Sequence, residues 1–108
     1  MAGINYPESK EASAERLRQT RIAFMDGRTN KRAFTDQVGI EYNRWNNAEA
    51  GTQFIGHEDL MKLCRVTGVT TDWILRGDQQ LLKPEFREKL AKVPPRAENA
   101  PKKALKRA

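Results

Sequence analysis

The stretch NKRAFTDQVGIEYNRWNNAEAG, Asn30 to Gly51, decides the fold. Its apolar residues fall into two short helical groups, Phe34 with Val38 four apart and Trp45 with Ala48 three apart. Gly39 and Ile40 lie between the groups. A tight turn between two helices needs a residue that tolerates positive φ, and glycine does so at the least steric cost. Ile40 can then plug the angle between the helices while Trp45 fastens the second one to the body. The spacing predicts helices over 31–38 and 41–50, with Thr29 or Asn30 capping the first and Gly51 stopping the second.

The second of these helices has an unusual outer face. At 100° per residue from Trp45, Asn43, Asn47 and Ala50 fall within about 40° of the opposite side, with Arg44 and Asn46 flanking them. Asparagine is a poor helix former, so stability does not account for three of them. Asn can bond adenine through two hydrogen bonds and Arg can do the same with guanine, both in the major groove. A merely solvated polar face is the plainer reading of the same residues.

Working outward, a helix is expected from Glu11 to Met25, with Leu17, Thr20/Arg21 and Phe24 inward and Asp26-Gly27 ending it. Residues 1–10 read as a flexible leader. Downstream, 57–67 turns Leu60, Leu63 and Cys64 inward, Gly68 ends it, and Thr70 or Thr71 caps a short helix at 72–76. Pro84 can start a further turn or two over 85–92, which Val93-Pro94-Pro95 ends. No strand-like alternation or internal repeat is present. The division expected is a leader (1–10), a helical domain (11–82) and a basic, largely disordered tail (83–108).

The charge has a location. The chain of 108 residues carries a net +6, yet residues 1–82 hold 11 Lys/Arg and 11 Asp/Glu. The excess belongs to 83–108, with 9 bases and 3 acids. Within the body, 16–32 forms a basic edge of Arg16, Arg18, Arg21, Arg28, Lys31 and Arg32 against Asp26. A basic edge and tail suit a polyanion. Lys102, Lys103, Lys106 and Arg107 would form a DNA arm or a merely solubilising end; as an arm, each phosphate neutralised adds about 0.9 to the salt slope of duplex binding.

Cys64 is the only cysteine, which excludes an intrachain disulfide and a Cys-rich zinc site. With no apolar run at the N-terminus and none approaching the ~20 residues of a membrane span, a cytoplasmic protein off the membrane is expected. His57, beside Glu58 and Asp59, lacks a second histidine, and consecutive helical residues diverge; acids at a helix start explain the pair better than a metal does. Cys64 reads as a small core residue. No nucleophile–base arrangement or phosphate-cradling loop is present, so neither enzyme activity nor a cofactor is expected.

The 30–51 segment, together with LMKLCRVTGVTTDWILRGD at 60–78, resembles the Xre/Cro family of phage-type repressors over about residues 16–78. The closing GVTTDWILRGD is the most specific part of the match. The resemblance implies an all-α, five-helix, lambda-repressor-like DNA-binding domain with its third helix in the major groove and its second across the backbone. By position it implies base reading by Tyr42, Asn43, Asn46 and Asn47, which Arg44 joins, and a phosphate contact from Lys31, with Arg28 and Arg32 beside it on the basic edge. It also implies a structural Glu49 paired with Arg21. Thr35 stands where the family usually has Ala, Glu41 where it has a Ser/Thr cap, and the link between the first two helices is two or three residues longer than is typical.

A sequence-specific regulator of transcription, a repressor near the nucleoid, is therefore the leading expectation. One helix reads few base pairs, so a homodimer on double-stranded DNA is expected, with Trp73 and Ile74 either in the core or at the dimer contact. An antitoxin-like or anti-activator module with a protein partner is the alternative.

Overall fold

The computed structural model describes residues 7–28 and 30–94, all of them helix, turn or loop, with no strand among them. Among these described residues six helices follow in order: α1 (Lys10–Phe24), α2 (Lys31–Val38), α3 (Tyr42–Glu49), α4 (His57–Thr67), α5 (Thr71–Arg76) and α6 (Pro84–Ala91). The all-helical class matches the sequence reading; the count exceeds the expected five by one.

Helix α1 is the spine, packing against α3, α5 and α6, while α2 packs on α3 and α4. The core holds Leu17, Phe34, Val38, Ile40, Trp45, Ala48, Leu60, Leu63, Val69, Trp73 and Ile74, all nearly or fully buried. Phe34 stacks at a tilt on Trp45, with 4.9 Å between ring centroids, and meets Phe24 edge-on at 6.1 Å. Such aromatic pairs add about 0.5–1.5 kcal/mol beyond their burial. Trp73 sends its indole N–H to the buried Thr20 hydroxyl at 2.8 Å. With Trp73 and Ile74 both buried, neither serves as a dimer contact.

The caps follow the local sequence. Asn30 accepts from the Ala33 N–H at 3.0 Å and Thr70 from the Trp73 N–H at 3.0 Å. Glu41 takes over the Ser/Thr role in front of α3, accepting from the Arg44 N–H at 2.9 Å, and its charge suits the positive end of the helix. Gly39 turns left-handed at φ 81°, which lets its own N–H and that of Ile40 both bond the Thr35 carbonyl. A Cβ at Gly39 would meet nothing within 4 Å, so the dihedral and not space demands glycine there.

Two expected boundaries move. The leader ends earlier: Ser9 is buried and caps α1 through the Ala12 N–H, and Arg16 donates to the Pro7 carbonyl. The folded body also runs past residue 82. Leu82 and Leu90 are buried, α6 lies on α1, Lys89 pairs with Asp26 at 2.7 Å, and Arg18 donates to the Pro94 carbonyl at 2.9 Å. Residues 83–94 are therefore part of the packed body.

Candidate nucleic-acid interface

Helix α3 is built from its buried side outward. Trp45 is fully buried, and its indole N–H donates to Glu49 one turn later at 2.5 Å. Arg21 grips the same carboxylate with Nε at 2.9 Å and Nη2 at 2.7 Å, as the resemblance implied. Lys31 Nζ stands 3.9 Å from it. Burial alone would raise the Glu49 carboxyl, but the Arg21 hydrogen bond and charge, the Lys31 charge and the Trp45 indole together hold it below its usual range. A buried carboxylate needs such compensation, because an unpaired charge in the interior costs several kcal/mol. Helix α3 is thus fixed in rotation about its axis by one tryptophan and one ion pair.

That rotation decides what points outward. Asn43 and Asn47 are exposed, and Asn46 and Tyr42 are half-buried. Arg32 of α2 lays its guanidinium over the Tyr42 ring, 4.1 Å from the centroid. A phosphate candidate and a base-reading candidate therefore form one contact across the turn, in which the cation–π attraction orders the long Arg32 side chain. Arg28 is exposed in the α1–α2 link. Lys102, Lys103, Lys106 and Arg107 lie outside the described residues.

Arg44 has a partner that the sequence reading did not give it. Its side chain turns toward the start of α4, where Nε and Nη2 grip Asp59 at 2.9 and 3.2 Å. The hydrogen bond to Asp59, then its charge, raises the Arg44 pKa. Asp59 is buried in the first turn of α4, where the sequence reading put an acid, and Arg44 is its ion-pair partner. His57 and Glu58 stay exposed. Beside the pair is an open hollow of about 410 Å³, lined by Arg44, Gln53, Phe54, Gly56, His57, Glu58 and Asp59, with Phe54 48 % exposed.

The basic edge is also partly turned inward. Arg16 is buried and donates through Nε to the Ile74 carbonyl at 3.0 Å, closing the end of α5; burial lowers its pKa, which Glu8 partly offsets. Arg18 is held by Glu15 and the Pro94 carbonyl, and Arg21 by Glu49. Of the six bases in 16–32, Arg28 and Arg32 are exposed and Lys31 half-buried. Sequence reasoning also missed Lys62, which donates to the Gly39 carbonyl at 3.1 Å and fastens the α2–α3 turn to α4. Neither Asp59 nor Lys62 carries a local signal, because their partners lie 15 and 23 residues away.

Among the described residues no group of three or more His, Cys, Asp or Glu could hold a metal. Burial raises the Cys64 thiol pKa, which works against a thiolate nucleophile. Among the described residues no helix is long and apolar enough to cross a membrane. No family model matches the chain, and neither does any curated protein or solved structure.

Proposed function

We propose that the chain is a sequence-specific regulator that docks α3 into the major groove of double-stranded DNA, acting as a repressor in the cytoplasm near the nucleoid. The observation that carries this reading is the rigid outward display of Asn43 and Asn47, backed by Tyr42 and Asn46, on a helix locked from behind by Trp45, Glu49 and Arg21. Amide side chains at fixed rotation can pair two-fold with base edges, whereas the same residues do nothing for helix stability. Arg32, ordered against Tyr42, and the half-buried Lys31 stand at the same end as candidate phosphate contacts. A single short helix spans few base pairs, so the reading includes a homodimer on two half-sites about one helical turn apart.

Selection of bound duplexes from random sequence, with a mass measurement in solution, tests it. Asn43→Ala or Asn47→Ala should lower discrimination at individual base positions by about 5- to 150-fold, the worth of a two-fold contact, with thermal unfolding unchanged or slightly raised, since alanine is the better helix former. Unchanged preference in both variants would sink the assignment of α3.

One observation favours a second reading. Half of the basic edge, Arg16, Arg18 and Arg21, is spent on internal partners, which leaves Arg28 and Arg32 as its exposed cations beside α3. A protein-interaction module of antitoxin or anti-activator type needs no such cations. Failure to select any DNA, together with recovery of a defined protein partner, would decide for it.

A further inference from the structure

We infer that Asp59 is a positioning residue for Arg44, and that the pair together reads a guanine at one edge of the site that α3 contacts. This rests on the proposed docking of α3 and extends it to a residue on another helix. The geometry is specific. Asp59 takes the side of the guanidinium, bonding Nε and one proton of Nη2. The other edge, Nη1 with the remaining Nη2 proton, has no partner among the described residues, and the Arg44 side chain is 53 % exposed. Two parallel N–H donors at that edge match the O6 and N7 acceptors of guanine.

Asp59 is a costly neighbour for a polyanion unless it does something for the contact. It is buried to 8 % exposure and has both oxygens engaged by Arg44, so its charge is offset before DNA arrives. An arginine free in solution loses several rotamers when it binds, and one already held from the side loses fewer. The plain alternative is that the pair only ties α3 to α4. The two roles differ in what they move: a tie affects unfolding and every base position together, whereas a positioned reader affects one position.

The full chain is put through selection from random duplexes as wild type, Arg44→Ala, Arg44→Lys, Asp59→Asn and the double variant Arg44→Ala/Asp59→Asn, each with its urea unfolding midpoint and its affinity for a non-selected duplex. Wild type should require guanine at one position. Arg44→Ala and Arg44→Lys should lose that requirement by about tenfold or more, since lysine keeps the charge but not the fork. Asp59→Asn should weaken the same position and no other, with non-selected affinity unchanged or tighter. The double variant should match Arg44→Ala, because Asp59 acts only through Arg44. The inference is overturned if Arg44→Ala keeps every base preference, if Asp59→Asn leaves guanine selection intact, or if Asp59→Asn weakens all positions alike. A wild-type chain that selects no sequence overturns the reading of α3 itself, a result distinct from any of these.

Discussion

Helices α3 and α6 are both eight residues long and both lie against α1, but they are held there in different ways. Helix α3 is fixed by a fully buried Trp45 and by Glu49, whose carboxylate is closed in by Arg21, Lys31 and the indole N–H. Helix α6 contributes one buried side chain, Leu90, with Phe86 half-buried, and an exposed ion pair from Lys89 to Asp26. The contrast is between directional contacts and an apolar seat. Hydrogen-bonded charge in a dry site specifies an orientation, at the cost of desolvating two ions. An apolar seat closes off core surface but leaves rotation looser. A helix that must present a defined outer face needs the first kind, and a strap across the end of the bundle needs only the second.

The largest expected effect follows from breaking the α3 clamp. Glu49→Ala leaves Arg21 buried without its partner and should cost about 3–5 kcal/mol in urea unfolding. A loss under 1 kcal/mol would show that the clamp orients α3 without stabilising it. Leu90→Ala comes next, at about 2 kcal/mol, the low end for a core leucine because the site lies at the edge of the bundle. Base selection should survive Leu90→Ala unchanged, since α6 is not among the elements packed on α3. Selection that fails while the variant remains folded would make α6 part of the reading apparatus and erase the distinction between the two helices.

The same two helices show what was legible in the sequence. The α2–turn–α3 unit was readable because its signals are local: Phe34 and Val38 at i,i+4, Gly39 at the turn, and Trp45 with Ala48 behind. The Arg21–Glu49 pair spans 28 residues, and the family resemblance implies it where spacing does not. Helix α6 reads from sequence as a turn or two, because its composition, with four bases and two acids over 83–92, looks like solvated tail. Its place depends on Leu82, Leu90 and Asp26, which no window of ten residues brings together. Likewise Arg44, outward-flanking by helical angle, finds Asp59 because α4 begins beside α3. Long-range ion pairs with one exposed member leave no periodic trace. The candidate bases were therefore identifiable one by one, while how many remain outward was settled by tertiary partners.

Acid titration gives the smallest effect and separates the two attachments most cleanly. The Glu49 carboxyl is held below its ordinary value of 4.5, and the Asp26 carboxyl below 3.8, in the latter case first by the hydrogen bond from Lys89 and then by its charge. In both cases the unfolded chain takes up a proton at a pH where the folded chain does not, so stability rises with pH across that window. Each contribution is complete above the ordinary value, declines as pH falls toward the lowered one, and is gone beneath it. The two differ in screening. At about 1 M salt the Debye length is only about 3 Å, which erases an exposed pair such as Asp26–Lys89 but reaches little of a buried one. Unfolding free energy followed from pH 6 downward should therefore keep its slope below pH 4.5 in high salt, and Glu49→Gln should flatten that slope while Asp26→Asn leaves it in place. A slope that salt removes entirely would place the acid sensitivity at α6 and reverse the assignment of the rigid contact to α3.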